Sequence, residues 1–314
     1  MLPVVSGANQ SAIERNLAIY TQAARGAFSE NTARAIRSDL RIFIEWASSA
    51  DRSADIPVEP ETVAAFIDGL SGTRAPATVR RYVASLNHLH RAAGLIPPGS
   101  AEIVRLAVRR MNRAKSTKQD QAAPLRHTSI SKMLAALPQD TGGRRDAALI
   151  TLAYDSLLRR SEISALNVED IERDAETGTA LVRRSKTDQE GEGDYVFLSA
   201  ETMRLLAEWI EAAAIETGAL FRPLSRAAKR DRLTGGDIAR VLKRRAKAAG
   251  IDPKLISGHS TRVGAAQDMR AAGLDLGAIM QAGRWESPRM VQRYTARLGV
   301  RFGAAARLAE IQGR

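Results

Sequence analysis

Apolar residues recur at helical spacing through nearly the whole chain, and this pattern constrains the fold more than any other feature of the sequence. In the segment that opens at Ser29, one face carries Ile36, Leu40, Phe43, Ile44 and Ala47. The stretch from Thr78 to Ala93 repeats the pattern, with arginines on the opposite face and Gly94 as a helix stop. Such segments form amphipathic helices that bury their apolar face. The sequence therefore predicts a mainly α-helical protein.

The β signal is confined to one place. The runs TALVRR (179–184) and DYVFL (194–198) flank the polar segment SKTDQEGEG, in which Gly191 and Gly193 permit a turn. We expect a β-hairpin or small sheet there, with helices before and after it. These predicted helices span residues 128–137, 143–157, 161–166, 200–214, 237–248, 260–272, 275–282, 288–296 and 303–312.

A polar stretch divides the chain into two parts. The segment RAKSTKQDQAAP, residues 113–124, lacks apolar periodicity and ends at Pro124. The length of 314 residues suits two domains of about 150 residues each. We predict a small all-α domain over residues 10–113, a linker over 114–124, and a larger, mostly α domain over 125–314.

The chain is strongly basic. It carries 47 Lys and Arg residues against 35 Asp and Glu residues, a net charge of +12. The excess is clustered, because residues 104–118 hold six basic residues and no acidic one, and residues 222–247 hold ten against two. GC-rich coding could produce an arginine bias, but clusters in both parts of the chain favour a polyanionic partner, namely nucleic acid.

Composition argues against several other classes of protein. The absence of Cys excludes disulfide scaffolds, thiol catalysis and Cys-ligated zinc. No apolar run approaches the ~20 residues of a membrane span, and the first residues lack the pattern of a signal peptide. The sequence contains neither the glycine-rich phosphate-binding motif of ATPases nor a carboxylate cluster of the metal-nuclease type. We expect a cytoplasmic protein, associated with the nucleoid when it binds DNA, that needs no membrane, metal or other cofactor.

The candidates for chemistry are cations and one tyrosine in the second half of the chain. They are Arg159, Lys186, His259, Arg262, Trp285 and Tyr294. His259 and Arg262 lie three residues apart at a predicted helix start, where the helix N-terminus also attracts an anion. Taken singly, each candidate has an ordinary explanation as a solvated cation, a helix cap or a packed aromatic residue. Their order along the chain carries more information.

The ordered set R…K…H-x-x-R…W…Y resembles the active-site signature of the tyrosine site-specific recombinases, the phage integrase family. The segments LLRRSEI, SKT, SGHSTRVGAAQDM and IMQAGRW carry the resemblance, and SENTARAIRSDL and TVRRYVASLNHLHRAAGL extend it into the first domain. It therefore covers nearly the whole chain. Two positions depart from the wider family: Leu157, where many members have Gly, and Trp285, where most have His. The resemblance implies a DNA-binding first domain and a catalytic second domain.

The resemblance also implies the central chemistry. Tyr294 would attack a scissile phosphodiester, leaving a 3′-phosphotyrosyl bond and a free 5′-hydroxyl. Because the covalent bond conserves the energy of the phosphodiester, rejoining would need neither ATP nor metal. Arg159 and Arg262 would donate hydrogen bonds to the charge that develops on the non-bridging phosphate oxygens.

The remaining residues of the signature have supporting roles in this resemblance. His259 would help to take the proton from the attacking tyrosine, and Lys186 would protonate the leaving 5′-oxygen. Trp285 would donate its indole N–H to a phosphate oxygen while packing the site. Glu162 would hold the catalytic cluster in place, since a carboxylate beside the phosphate would be repelled by it.

Partners and assembly follow from the same resemblance. The DNA would be double-stranded with paired inverted half-sites, and exchange through a Holliday junction would need a homo-tetramer. Gly299 and Gly303 would bracket a short link to the last helix, which would pack into a neighbouring subunit; from sequence alone, docking on its own domain is favoured. Outward basic residues predicted to contact DNA are Arg34, Arg37, Arg80, Arg81, Arg240, Lys243 and Arg244. The alternative function is that of a catalytically silent, helical DNA-binding or architectural protein.

Overall fold

The structure is a computed structural model that describes residues 10–115, 122–183, 193–225, 230–301 and 304–314. Within these stretches the chain is mostly helical, and its strands form one antiparallel sheet of three strands. The prediction of a mainly α fold with a small sheet is confirmed. The chain divides into two compact units, Met1–Asp120 and Gln121–Arg314. None of the helices in the described stretches is long and apolar enough to cross a membrane.

Helices build the N-terminal unit. They are α1 (Gln10–Ala23), α2 (Glu30–Ser49), α3 (Pro60–Ser71), α4 (Pro76–Ala92) and α5 (Glu102–Ala114). Ser29 caps α2 by accepting a hydrogen bond from the Thr32 amide at 3.2 Å, as its sequence position indicates. Helix α2 packs on α4, and α3 packs on α5. The apolar patterns that open at Ser29 and at Thr78 correspond to α2 and α4, whereas neither α1 nor α3 was predicted.

The core of this unit contains one carboxylate among its apolar side chains. Asp39 is 1% exposed and accepts two hydrogen bonds from Arg81, at 2.7 and 3.0 Å, and one from Ser85 at 2.9 Å. Because Asp39 lies on α2 and its two partners lie on α4, this network joins the helices. The apolar periodicity of α2 gave no sign of it.

The C-terminal unit combines helices with the sheet. Its helices are α6 (His127–Ala135), α7 (Thr141–Asp155), α8 (Arg160–Ala165), α9 (Ala200–Ala212), α10 (Gly235–Ala248), α11 (Ser260–Ala271), α12 (Leu276–Gly283), α13 (Pro288–Arg301) and α14 (Ala304–Ile311). Helix α7 is buried over most of its length and packs against α9 and α11. A salt-bridge cluster also ties α7 to α10: Asp146 on α7 is held by Arg244 and Arg245 of α10.

The sheet has the order β1 (Ile171–Asp174), β2 (Thr177–Val182), β3 (Asp194–Leu198), with both pairs antiparallel. Strands β2 and β3 are the predicted hairpin, in which Ala180 pairs with Val196. Strand β1 was not predicted, because its residues do not alternate between buried and exposed positions.

The first residues of the C-terminal unit are bound to the region of α11. The Ala123 amide donates to the Leu255 carbonyl at 2.8 Å, and the Leu125 amide donates to the Ser260 carbonyl at 2.9 Å. Gly264 allows this approach, since a Cβ there would lie 1.9 Å from the Leu125 carbonyl oxygen.

Asp268 on α11 adds a side-chain contact to the same region. Its carboxylate accepts hydrogen bonds from Arg126 Nε, from the His127 amide and from the Tyr154 hydroxyl. Helix α11 is therefore held from both the chain entry and α7.

The last two helices differ from their prediction in one respect. Helix α13 was expected to end at residue 296 but continues through Gly299 to Arg301, so Gly299 does not open a link. Helix α14 exposes apolar side chains, with Leu308 50% and Ile311 82% exposed.

Candidate active site

Five of the six candidate residues, all except Lys186, lie on or beside helices α8, α11, α12 and α13 of the C-terminal unit. Arg159 occupies the position before α8, and His259 occupies the position before α11. Arg262 lies in the first turn of α11, Trp285 follows the end of α12, and Tyr294 lies on α13. Arg159, His259 and Arg262 thus lie at helix starts, whereas Tyr294 projects from the middle of its helix.

Glu162 anchors the start of α8. Its carboxylate is buried and accepts hydrogen bonds from the Arg159 backbone amide at 2.8 Å and from Arg159 Nη1 at 2.7 Å. The first contact caps the helix, and the second fixes the guanidinium of a side chain that is 20% exposed. These hydrogen bonds join Glu162 to Arg159, and the supporting role of Glu162 in catalysis stays a prediction.

Arg262 is the most deeply buried of the candidate cations that the structure describes. It is 2% exposed, and its guanidinium donates to the Leu157 carbonyl and, at 2.9 Å, to the Gly283 carbonyl. The guanidinium carbon lies 4.8 Å from the centre of the Trp285 ring, a cation–π contact. Burial, and then the charge of Arg159, lower the pKa of Arg262 to about 10, which leaves it charged at neutral pH.

Leu157 supplies one of these carbonyls from an unusual backbone conformation. Its φ of 50° lies in the left-handed region, which side chains other than Gly seldom adopt. This is the position at which the sequence departs from the Gly of many family members, so Leu157 adopts the conformation that favours Gly while its side chain joins a buried apolar cluster.

His259 is exposed at its position before α11, and its amide donates to Ser257 Oγ at 3.1 Å. The pKa of His259 is lowered below its usual value near 6.5. The main cause is that neighbouring protein displaces water from part of the ring, and the positive charges of Arg262, Arg160 and Arg159 add to it. The imidazole is therefore neutral at physiological pH, the form that can accept a proton.

Trp285 and Tyr294 pack together beside Arg262. Their ring centres lie 5.8 Å apart, and both belong to an apolar cluster formed by α11, α12 and α13. Gly283 makes room for the indole, since a Cβ there would lie 2.0 Å from the Trp285 ring. The Gln267 side chain donates to the Tyr294 carbonyl at 3.0 Å and so fixes the backbone of α13 at the tyrosine.

A second tyrosine contacts the same cluster but is engaged elsewhere. The Tyr154 hydroxyl donates to Asp268 at 2.6 Å. Burial and this hydrogen bond raise the pKa of Tyr154, so its proton is held. Of these two tyrosines, Tyr294 is the one that contacts the cation cluster through Trp285.

The structure thus brings together Arg159, Glu162, His259, Arg262, Trp285 and Tyr294. Lys186 lies outside the described residues, so its predicted place in the site stays a prediction. Among the described His, Asp and Glu residues, no group of three is arranged to hold a metal ion.

Sequence reasoning missed one member of the cluster, Arg284. Its guanidinium donates at 2.5 Å to Glu162 Oε2, the oxygen that also accepts from the Arg159 amide, and its side chain is 9% exposed. The sequence signal was present in the segment IMQAGRW, but an arginine next to a signature tryptophan has no spacing rule that would single it out.

The side chains predicted to contact DNA fall into two groups. Arg34, Arg37, Arg80 and Lys243 are exposed at the surface of their helices. Arg81, Arg240 and Arg244 are also exposed but pair with buried carboxylates, which are Asp39, Asp237 and Asp146 respectively. These three arginines therefore have a structural task that the sequence did not indicate, and DNA contact by all seven stays a prediction.

Comparison with known proteins agrees with this geometry. Residues 124–299 match the phage integrase family. The chain is 30% identical over 278 residues to an integrase/recombinase xerD homolog of Selenomonas ruminantium, covering 85% of this chain and 81% of the relative. It is 29% identical over 309 residues to the recombinase cre of Escherichia phage P1, covering 91% and 90%.

Solved structures show the same fold at lower sequence identity. The XerH site-specific recombinase bound to palindromic difH substrate in a post-cleavage complex superposes with a TM-score of 0.66 at 17% identity, covering 96% of this chain and 84% of that one. A lambda integrase dimer bound to a COC′ core site gives 0.63 at 17% identity, covering 90% and 94%.

Proposed function

The chain belongs to the phage integrase family, and from this premise we propose that it is a site-specific DNA recombinase that cuts and rejoins DNA through Tyr294. The observation that carries the proposal is that Tyr294 lies one aromatic ring away from a buried cation. Its ring packs on Trp285 with the ring centres 5.8 Å apart, and the Arg262 guanidinium carbon lies 4.8 Å from the centre of the same indole. A phosphodiester beside Tyr294 would thus meet guanidinium groups that are already fixed in place.

The proposed cleavage step forms one phosphate ester and breaks another. Tyr294 Oη attacks the scissile phosphorus, its proton leaves with the help of neutral His259, and the 5′-oxygen departs with a proton from Lys186. The DNA 3′-end is then joined to the tyrosine. Reversal by a different 5′-hydroxyl rejoins the strand and, after one pair of exchanges, gives a Holliday junction.

The arginines stabilise the charge of this step. Arg159 and Arg262 donate to the non-bridging oxygens, on which negative charge grows during attack. Guanidinium groups suit this task because they stay charged and present planar pairs of N–H donors. The Trp285 indole contributes a further N–H, and Glu162 keeps Arg159 in place. These steps use side chains alone and need neither ATP nor a metal ion.

The test is a covalent adduct with DNA. A nicked duplex that carries the target site loses its 5′-hydroxyl fragment by diffusion and traps the tyrosyl intermediate, which survives denaturing electrophoresis. The unaltered protein is expected to form the adduct in excess EDTA. Tyr294→Phe should bind the same DNA and form none, whereas Tyr195→Phe, which removes a hydroxyl from an exposed side chain of β3, should behave like the parent.

Each outcome separates the candidate functions. DNA binding with no adduct from the unaltered protein would favour the silent, architectural alternative. An adduct that persists in Tyr294→Phe would assign the nucleophile to another residue, and an adduct that forms only with added magnesium would contradict the metal-free steps.

The assembly proposed for strand exchange is a homo-tetramer on two duplexes with paired inverted half-sites. Support comes from α14, which presents Leu308 and Ile311 to solvent. A short helix with an exposed apolar face is poorly stable alone and gains stability from a partner surface. Passing this helix from each protomer to the next in a cycle would close a ring of four.

Deleting residues 303–314 is expected to leave a folded protein that binds one half-site. Cooperative filling of the paired site and formation of the synaptic complex should be lost, as measured by gel-shift titration on one and two half-sites. Leu308→Glu should reproduce the loss, and Arg307→Glu, which introduces the same side chain at an adjacent exposed position, provides the control. Unchanged cooperativity in the deletion variant would return α14 to a role within its own unit.

A further inference from the structure

Arg284 occupies a backbone position that disfavours it. It follows the last residue of α12 with φ 50° and ψ 53°, the left-handed conformation in which helices commonly end on Gly. A side chain at this position strains the backbone, because its Cβ crowds the neighbouring carbonyl oxygen. Strain of this kind persists where the surrounding structure imposes it, often at functional sites.

The Arg284 side chain adds a second unfavourable feature. It is 9% exposed, and its only hydrogen bond to a described residue runs from Nη2 to Glu162 Oε2. Nε lies 3.9 Å from the half-exposed carboxylate of Asp194, beyond hydrogen-bonding distance. Nε and Nη1 are buried, and no described group accepts a hydrogen bond from either. Buried donors without acceptors are rare because they lose water without replacing it.

Glu162 links this arginine to the proposed chemistry. Its Oε1 accepts from Arg159 Nη1, while its Oε2 accepts from the Arg159 amide and from Arg284 Nη2. One buried carboxylate thus lies between two guanidinium groups. Arg284 draws the carboxylate charge away from the Arg159 side chain and restricts how the carboxylate can turn. Its charge also reaches Arg262, in addition to that of Arg159.

We propose that Arg284 is a positioning residue for the cleavage step, acting through Glu162 to hold the Arg159 guanidinium at the geometry that receives the phosphate and to keep the cluster net positive. The inference rests on the proposed recombinase function. Without Arg284, Glu162 is free to pair with both sides of the Arg159 fork, which turns the guanidinium and neutralises it. Because Nε and Nη1 of Arg284 are buried, this residue acts on the phosphate indirectly.

A purely structural role is the competing explanation, since Arg284 also ties the end of α12 to α8. The two explanations differ in what they expect of Arg284→Gly. Glycine suits the left-handed backbone, so this variant removes the side chain while relieving strain. A structural tie would show itself as lower thermal stability with an unchanged cleavage rate at a temperature where the variant is folded.

The experiment measures single-turnover cleavage of the nicked duplex at saturating protein. Arg284→Gly is expected to cleave roughly 10- to 100-fold more slowly, as for a small misplacement of a catalytic group, with unchanged DNA affinity. Millimolar ethylguanidinium should restore part of the rate by occupying the vacated space. Ala214→Gly is the matched control, because Ala214 also has a left-handed φ of 47° but carries no charge.

A double-mutant cycle tests the route through Glu162. In the Glu162→Gln background, Arg284→Gly should slow cleavage much less than in the parent, since the carboxylate that it restrains is gone. Equal slowing in both backgrounds, or a normal cleavage rate in Arg284→Gly, would overturn the proposal. The unaltered protein and Tyr294→Phe in the same assay keep this outcome distinct from failure of the recombinase function, which would remove the adduct from the parent itself.

Discussion

Asp146 and Glu162 are both buried carboxylates of the C-terminal unit, and arginines hold each of them, yet their surroundings differ in one respect. Asp146 accepts two hydrogen bonds from Arg145 on one oxygen, and one each from Arg244 and Arg245 on the other. Glu162 accepts from Arg159 and Arg284, and Arg284 retains two buried donors that no described group accepts. The first cluster is complete within the protein, and the second is not.

The difference shows that an excess of buried arginine is not by itself a functional sign. Three arginines surround Asp146, and this cluster joins α7 to α10 without containing any of the candidate catalytic residues. Glu162 instead joins two of the candidate-site arginines, Arg159 and Arg284, and two buried donors of Arg284 have no described acceptor. Incomplete hydrogen bonding, more than positive charge, distinguishes this cluster from the one around Asp146.

The largest effect on stability is expected when the carboxylate of the Asp146 cluster is removed. Asp146→Asn leaves three arginines facing a neutral group, two of them 8% and 14% exposed, and should lower the free energy of unfolding by about 3–5 kcal/mol. Urea denaturation measures this loss. Cleavage at saturating protein, at a temperature where the variant is folded, should stay at the parent rate.

A reference substitution sets the scale for that loss. Glu208→Gln removes the exposed pair with Arg204 on α9 and should change the free energy of unfolding by no more than about 0.5 kcal/mol. If Asp146→Asn were as mild as this, or if it stopped cleavage while leaving stability intact, the division between a structural and a functional cluster would fail.

The second prediction concerns Arg159, whose loss should slow cleavage and leave the fold intact, the reverse of what is expected for Asp146. Arg159→Ala should slow single-turnover cleavage roughly 100- to 1000-fold, the usual loss for one donor to a developing oxyanion, while the protein stays folded. Arg159→Lys should restore little, since a lysine cannot present the planar fork. Arg245→Met, which removes a cation from the Asp146 cluster, is the matched control and should lower stability but not the cleavage rate.

The smallest expected effect is the dependence of the cleavage rate on pH. Because the pKa of His259 is lowered, the imidazole is neutral at pH 7–8 and becomes protonated only below about pH 6.5. Cleavage should therefore fall with decreasing pH, approaching about tenfold per unit below the pKa of His259. His259→Gln should cleave slowly at every pH and lose this acid limb, and an acid limb that persists would assign it to another group.

A second histidine needs a control in the same experiment. Burial lowers the pKa of His90, whose Nε2 accepts from the Val58 amide at 2.9 Å in the N-terminal unit. Its protonation would break this bond, so the unfolded chain binds the proton more readily and stability falls as pH decreases below about 6.5. Cleavage rates are thus compared only where circular dichroism shows an unchanged fold.

The sequence predicted those elements whose apolar residues follow a regular spacing along the chain. The helices α2 and α4 were identified because their apolar residues repeat every three or four positions, and β2 and β3 because a glycine-containing polar segment separates two apolar runs. Helix α1 buries only Ile13, and α3 is apolar on most of its surface, so neither has a clear amphipathic pattern. Strand β1 is too short and too exposed to show alternation.

The candidate site likewise contains residues that the sequence predicts and one that it does not. The order of Arg159, His259, Arg262, Trp285 and Tyr294 along the chain is a sequence property, and the structure brings these residues together. The place of Arg284 depends on its left-handed backbone conformation and on the carboxylate of Glu162, which lies 122 positions away in the chain. Neither feature can be recognised from a local sequence pattern. The same holds for the pairing of Arg81 with Asp39 across two helices.

The bonds that join the chain entry to α11 determine where this protein can be cut or fused. The match to the family begins at residue 124, but a fragment that starts there discards the Ala123 amide and its bond to the Leu255 carbonyl, five positions before Ser260 opens the helix. A start at His127 would discard the Leu125 and Arg126 contacts as well and would uncover Gly264. An isolated C-terminal fragment with an intact site should therefore begin no later than Ala122, and a fused domain or tag is best attached before that residue.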